Sequence, residues 1–493
     1  MNTEARPDRD HPRSVTRRVA RNTAYLALAD VSSKVMVFFF HVLAARRLGV
    51  ERYGVLSFAF AFTGMLGVLT DLGLGTIATR EIARDHGKAR PQVNDALTMR
   101  LIASVIVIAL IALSVNLLRY PAATVRVVYI CSVCVLTNAV VSFFCAVFQG
   151  FERMELLALN RTIQTAVLVA GAFLLSRGAA GIDRYALLFV IAGVVSVVVA
   201  GISAVPLLGR LELSFSFGHW WDVLRASVPI GLATVFTMFY YWIGTTVLSK
   251  MASDTAVGSY SAAFRVANGL AFMGFAFSGA VYPLFSRFFA SSSERLVRAF
   301  ELSVKYMAML ALPVAAFATV FGTQVVLLVY GRAYSGAAPV LHLLVWWGAF
   351  ASLNSLLSYY LISVGRSGLV TAQTGVSLVV NLGLNLVLIP IFGAVGAALA
   401  LAVSEAAGLV YLAASHSQVP QHARAQSVFS DVLRVVAALV AALLVATGVA
   451  RWNWVAGLGA GLLAYVAFLV ATRALSSQDM KMLRPLLGGG EPA

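Results

Sequence analysis

Apolar residues run along this chain in blocks separated by short polar stretches. A helix that crosses a bilayer needs about 20 predominantly apolar residues. Runs of that kind fall at 23–45, 54–79, 95–118, 122–149, 156–176, 185–208, 222–249, 257–285, 302–323, 338–363, 367–390, 394–414, 428–450 and 453–474. The pattern predicts an all-α, polytopic membrane protein with about 14 transmembrane helices. The block "QVVLLVYG" (324–331) is too short to span and is expected at the membrane interface. Every polar connection is short, so the membrane helices must carry the function themselves.

Polar residues inside these runs are not scattered. On the first run Thr23, Asp30, Ser33, Lys34 and His41 recur at helical spacing along one face. The seventh run carries Thr234, Thr237, Tyr241 and Thr245, and the eighth Ser261, Arg265 and Asn268. Ionisable side chains at membrane depth are costly and normally face a water-filled cavity or a partner. Asp30 and Lys34, at i and i+4 with the acid first, are spaced to pair with each other. Arg265 has no acidic neighbour one turn away on its own helix. Asp71, in "LTDLGLGT", is placed to anchor the end of the second helix. Glu405 sits mid-helix among small residues that suit packing against another helix. His41 reads as a satisfied polar side chain rather than a proton switch.

The chain also repeats itself. Sliding Asp30 onto Thr234 brings Ser33 onto Thr237, His41 onto Thr245, Gly54 onto Gly258 and Ser57 onto Ser261. A second match sets "QGFERMELLALNRTIQ" beside "ISVGRSGLVTAQTGVS", with Arg153 on Arg366 and Asn160 on Gln373. Both place the first six helices (22–210) over the next six (211–420). Six is even, so the repeats enter the membrane in the same sense, as two pseudo-symmetric lobes about an axis along the membrane normal. Two further helices (421–475) lie outside the repeat, and 1–21 and 476–493 are polar tails. Two such lobes facing a shared cavity are suited to alternating access.

Composition agrees with this class and narrows it. Hydrophobic residues are 60% of the chain and charged ones only 12%, a balance no soluble domain tolerates. The net charge of +16 would suggest nucleic acid in a soluble protein. Here the basic residues cluster in alternate connections, so they read as topology and contact with anionic lipid, with no nucleic acid implied. With the N-terminus inside, about 25 Lys and Arg fall on the cytoplasmic side against about 10 outside, leaving Lys34 and Arg265 within the membrane. Both termini are therefore expected in the cytoplasm, in a multi-pass protein of the cell membrane. The stretch "ARRLGVERYG" dissents, with three arginines on the expected outer side. Cys131, Cys134 and Cys145 share one apolar run without His partners, which argues against metal or redox chemistry. No GxxxxGK[ST] loop occurs, and no cofactor is called for.

Two cations from opposite lobes, Lys34 and Arg265, suit an anionic head group such as a phosphate or pyrophosphate, which buried cations attract strongly. Asn268 and Tyr241 complete the expected substrate contacts, while Asp30, Asp71 and Glu405 are the candidates for coupling or gating. Asp30 is placed to hold Lys34 in the empty state and release it to an arriving anion.

Several strings carry a family resemblance. "AARRLGVERYGVLSFAFAFTGMLGVLTDLGLGTIATREIAR" (44–84), "VGSYSAAFRVANGL" (257–270), "LLVYGRAYSGAAPVLHLL" (327–344) and "VGRSGLVTAQTGVSLVVNLGLNLVLIPIFGAVGAALALAVSE" (364–405) resemble polysaccharide flippases of the multidrug/oligosaccharidyl-lipid/polysaccharide (MOP) exporter superfamily. The resemblance spans nearly the whole chain. It implies two lobes that open alternately to flip a polyprenyl-linked oligosaccharide, and often a basic residue at the Arg265 position. Partners it implies are the lipid-linked substrate, membrane lipids and glycosyltransferases or a polymerase of the same pathway. Asp30 and Lys34 belong to no motif of that family. Within the resembling "LIPIFGAVGAA", Pro390 and the glycines permit a helix end and a tight turn before the twelfth helix.

Two other classes compete. A cation-coupled multidrug antiporter of the same superfamily would use Asp30 and Asp71 to bind Na⁺ or H⁺, but the strings above match such exporters less well. A membrane glycosyltransferase, ligase or polymerase would need catalytic side chains on a substantial outer loop, and every expected outer loop is short.

Overall fold

The computed structural model describes residues 12–84, 89–178, 180–209, 212–416 and 425–472. Among these, fourteen α-helices and two short 3-10 turns account for the regular structure. They are α1 (Pro12–Gly67), α2 (Leu74–Arg84), α3 (Ala89–Leu117), α4 (Ala122–Gly150), α5 (Met154–Leu175), α6 (Ile182–Leu208), α7 (Phe217–Met251), α8 (Asp254–Ser291), α9 (Ser293–Tyr330), α10 (Ala338–Ser363), α11 (Ser367–Phe392), α12 (Ala394–His416), α13 (Ala425–Ala450) and α14 (Trp454–Ala471). Thirteen stretches are long and apolar enough to cross a membrane, and the protein is an all-α, multi-pass membrane protein.

Thirteen rather than fourteen has a simple cause. The first two apolar runs join into one 56-residue helix, kinked at Gly49. Gly49 has φ 77° and ψ 168°, a conformation open to a residue without Cβ. The polar stretch around it therefore holds a sharp kink between two helical arms, where the pattern suggested a loop. The second run does break further on. A 3-10 turn at Val68–Thr70 and positive φ at Leu72 and Gly73 end α1, and α2 starts afresh at Leu74. The block 324–331 forms the end of the 38-residue α9, with Gly331 as its C-cap. The α11–α12 connection is as tight as expected, with Gly393 alone between them.

The chain divides into two compact units, one of residues 1–44 and 62–235, the other of 45–61 and 236–493. The divisions fall inside α1 and α7, not in the connection near residue 210.

In the first unit α4 packs against α3 and α6, and α5 against α6. Its core gathers Ile82, Phe143, Phe144, Val147, Phe148 and Leu157, with Ala200 and Ala204 of α6. Small side chains on α6 let the helices approach closely, the usual way of packing helices inside lipid.

In the second unit α10 is central, packed against α8, α9 and α12, while α11 packs on α12. The helices α13 and α14 pack on each other and on α9, where Phe317 and Phe321 meet Leu439, Ala442, Ala446 and Tyr465. Residues 45–61 of α1 belong to this unit and cross the start of α8. Arg46 there donates to the carbonyls of Leu328 (2.5 Å) and Val329 (2.6 Å). These are among the last carbonyls of α9, which have no partner inside the helix. One of the three dissenting arginines thus has a structural task.

Candidate functional site

Arg265 lies about a third of the way along α8, whose start is capped by the Ser253 hydroxyl accepting from Ala256 N (3.3 Å). Helical spacing puts Ser261, Arg265 and Asn268 along one side of it. Ser261 is buried, while Arg265 and Asn268 are partly accessible. Aromatic rings surround the guanidinium. Its carbon lies 5.8 Å from the Trp242 ring centroid, and the Tyr53 hydroxyl is beside it. The Tyr241 ring meets Trp242 and Phe264 edge-on at 4.9 Å each, and its hydroxyl lies against Asn268. Tyr260 stacks on Phe264 with centroids 6.0 Å apart. Among the described residues Arg265 makes no ion pair.

Three of the residues expected to touch substrate, Arg265, Asn268 and Tyr241, therefore come together within the second unit. The arrangement offers a fixed positive charge, two phenolic hydroxyls, an amide and several ring faces. A cation with no carboxylate partner at membrane depth attracts an anion strongly, and rings of this kind pack against the apolar faces of a ligand.

The first unit holds Asp30 and Lys34. Their pairing is present, Lys34 Nζ to Asp30 Oδ2 at 3.2 Å, and a third residue joins it. Arg161 of α5 reaches Asp30 Oδ1 at 3.1 Å. Asp30 is thus held between two cations, all three roughly half exposed. His41 is buried and packs edge-on against Phe40 at 5.3 Å. The side chain of Thr23 lies outside the described residues. On α7, Thr234 and Thr237 are exposed whereas Thr245 is buried, so the expected stripe is not uniform.

Asp71 is more than a helix anchor. It lies in the break before α2, accepts from Gly75 N (3.0 Å) and forms an ion pair with Arg100 of α3. Arg100 is fully buried and also donates to Ser142 Oγ (2.8 Å) and the Ala139 carbonyl (3.3 Å). A side chain on Gly75 would crowd this pair.

Glu405 is buried on α12, which packs against α10 and α11, and polar donors hold it. In the second unit it accepts from the Tyr240 hydroxyl and from Asn354 Nδ2 (2.6 Å). Its α11 neighbours form a polar ladder in which Asn385 Nδ2 donates to Asn381 Oδ1 (2.9 Å) and Asn381 Nδ2 to Ser404 Oγ (3.2 Å). Among the described residues no group of three or more His, Cys, Asp or Glu could hold a metal ion.

Arg100 and Arg161 were missed by the sequence reading, which left only Lys34 and Arg265 inside the membrane. Both lie within apolar stretches, Val93–Leu117 and Met154–Leu175, and an ionisable residue inside such a stretch was the signal available.

Comparison with known proteins agrees with this picture. A profile described as "Polysaccharide biosynthesis protein" matches residues 19–289, more than half of the chain. The chain belongs to this family. It is the family suggested by the strings at 44–84 and 257–270. A second profile, MatE, matches residues 229–387. The probable low-salt glycan biosynthesis flippase Agl15 of Haloferax volcanii is 24% identical over 395 residues, 80% of this chain and 82% of that one. Among solved structures, the lipid II flippase MurJ in an inward closed conformation shares the fold with a TM-score of 0.76 at 14% identity, over 91% of this chain and 99% of that one. An inward-facing multidrug resistance MATE family transporter of the MOP superfamily gives 0.60 at 17% identity, over 78% and 95%.

Proposed function

We propose that this member of the polysaccharide biosynthesis family is a transporter that flips a polyprenyl-(pyro)phosphate-linked oligosaccharide from the cytoplasmic to the external leaflet by alternating access. The flipped product would feed cell-surface polysaccharide assembly. The observation that carries the reading is Arg265, an intramembrane cation with no carboxylate partner among the described residues, walled by Tyr53, Tyr241 and Trp242. Such a group takes phosphate oxygens by charge-assisted hydrogen bonds, while the rings and hydroxyls take the first sugar. Agl15, a relative over most of the chain, is itself a probable glycan biosynthesis flippase.

On this reading Lys34 is a second head-group ligand, released when Asp30 turns to Arg161. The polyprenyl tail stays in the bilayer, because drawing it past polar groups forfeits its apolar environment. Both termini lie in the cytoplasm, where glycosyltransferases or a polymerase of the same pathway would meet the protein. No bond is made or broken in the transport cycle, so no catalytic residue is assigned.

A cation-coupled multidrug antiporter is the second reading, favoured by the MatE match over 229–387 and by the buried carboxylate of Glu405. Reconstitution in proteoliposomes separates the two. The flippase reading expects a fluorescent polyprenyl-diphosphate glycan to become accessible to an external lectin only with protein present. Na⁺- or H⁺-driven efflux of organic cations without glycolipid flipping would establish the antiporter instead.

A further inference from the structure

A second cluster of cations lies wholly within the first unit, and the reading above uses only Arg161 of it, as a partner of Asp30 and not as a ligand. A cleft of about 530 Å³ opens between α2, α4 and α5, lined by Asp71, Arg80, Arg100 and Arg161 together with Thr76, Thr79 and Gln149. Three arginines thus share a cleft with one carboxylate. The charge is not cancelled from beside it either, because Asp30, the partner of Arg161, is also paired with Lys34.

The three arginines are held differently. Arg100 forms the floor: it is fully buried, its position fixed by Asp71 and Ser142, and its Nε is left without a hydrogen-bond partner. Arg161 reaches in from α5 with Asp30 on one side only. Arg80, on the exposed side of α2, has no ion-pair or hydrogen-bond partner among the described residues. Burying an arginine and leaving one of its N–H groups without an acceptor is costly unless something occupies the site. Planar guanidinium forks match tetrahedral oxyanions bidentately, which a lysine cannot do.

We propose that this cleft is a phosphate-binding site, with Arg80 and Arg161 as ligands over a fixed Arg100–Asp71 floor and with the Thr76 hydroxyl at its wall. The ligand chemistry is a lipid-linked phosphate or diphosphate ester. It comes either from a prenyl diphosphate head group or from an anionic phospholipid. The site stands on the first unit alone, so its failure leaves the Arg265 reading intact, and the reverse holds too.

The test uses the full-length protein with Arg265→Gln, so that anion binding at Arg265 does not contribute. Thermal stabilisation by inorganic pyrophosphate is measured in phosphatidylcholine nanodiscs, and stabilisation by phosphatidylglycerol in discs that contain it. Arg80→Gln and Arg161→Gln are each expected to weaken the productive arm about tenfold, the loss of one charge-assisted hydrogen-bonding group. A response to pyrophosphate assigns the site to a diphosphate head group, and a response to phosphatidylglycerol alone assigns it to a phospholipid. A second readout needs no substitution in the cleft. Cys145 lines it, whereas Cys131 and Cys134 are buried, so the ligand should slow Cys145 alkylation by a small thiol reagent. The proposal is overturned if both arginine variants respond as the parent does, or if neither ligand protects Cys145.

Discussion

Gly54 and Gly258 lie against each other's helices. A Cβ on Gly54 would overlap the Asp254 carbonyl, and one on Gly258 would overlap the Val50 carbonyl. These are also the two glycines that the internal repeat superposes, so equivalent positions in the two repeats meet as a close helix crossing. Close crossings of this kind are the usual use of small residues inside lipid. Neither carbonyl belongs to a flexible side chain, so the backbone itself must move to admit a methyl group. Gly54→Ala and Gly258→Ala are each expected to destabilise the second unit by about 1–3 kcal/mol. Thermal unfolding in detergent, followed by size-exclusion chromatography, measures this. Melting temperatures equal to wild type would contradict the crossing.

The Arg100–Asp71 pair predicts an asymmetric result. Asp71→Asn leaves a buried guanidinium uncompensated and should cost about 3 kcal/mol. The double variant Asp71→Asn with Arg100→Met removes both charges and should recover most of that loss. A double-mutant cycle on thermal stability reads the coupling, and additive losses would show that the pair is not a unit.

Asp30 behaves differently because it is roughly half exposed, so its ion pairs add little to stability, about 0.5 kcal/mol or less. Asp30→Asn should therefore leave unfolding almost unchanged while removing a competitor for Lys34. The expected outcome is a several-fold lower substrate concentration for half-maximal flipping. Transport and apparent affinity both equal to wild type would return Asp30 to a purely structural role.

Glu405 is the candidate for coupling in the second unit. Glu405→Gln keeps an oxygen that can accept from Tyr240 or Asn354, so the protein should still fold. Flipping should lose its response to an imposed Na⁺ or H⁺ gradient while downhill movement persists. A gradient response equal to wild type would remove Glu405 from the coupling machinery.

Much of the membrane architecture was legible in the chain, because runs of about 20 apolar residues have few other fates. The tight α11–α12 turn was legible too, since "LIPIFGAVGAA" concentrates helix-ending and small residues. The fused α1 was not. A polar stretch with three arginines resembles a loop, yet the non-helical backbone is confined to Gly49 and the residues on both sides of it are helical. Arg46 looked like a topological exception because its task, satisfying the end of α9, depends on a helix more than 280 residues away. In the proposed site, Arg265, Asn268 and Tyr241 stood out by helical spacing and by their depth in apolar runs. Tyr53 was invisible as a wall residue, since residues 45–61 join the second unit only in three dimensions. Arg100 and Arg161 were overlooked for a different reason. Both stood in plain view inside apolar runs, but neither fell on a stripe that the repeat emphasised.

The most direct test of the account is the behaviour of Arg265 itself. Flipping of a polyprenyl-diphosphate oligosaccharide should be compared in proteoliposomes carrying equal amounts of wild type, Arg265→Lys, Arg265→Gln and Arg265→Ala. Loss of a charged hydrogen-bonding group predicts a fall of about tenfold or more for the glutamine and alanine variants, with lysine intermediate because it keeps the charge but not the fork. If Arg265→Ala flips the glycolipid at the wild-type rate, capture of the anionic head group by Arg265 is wrong.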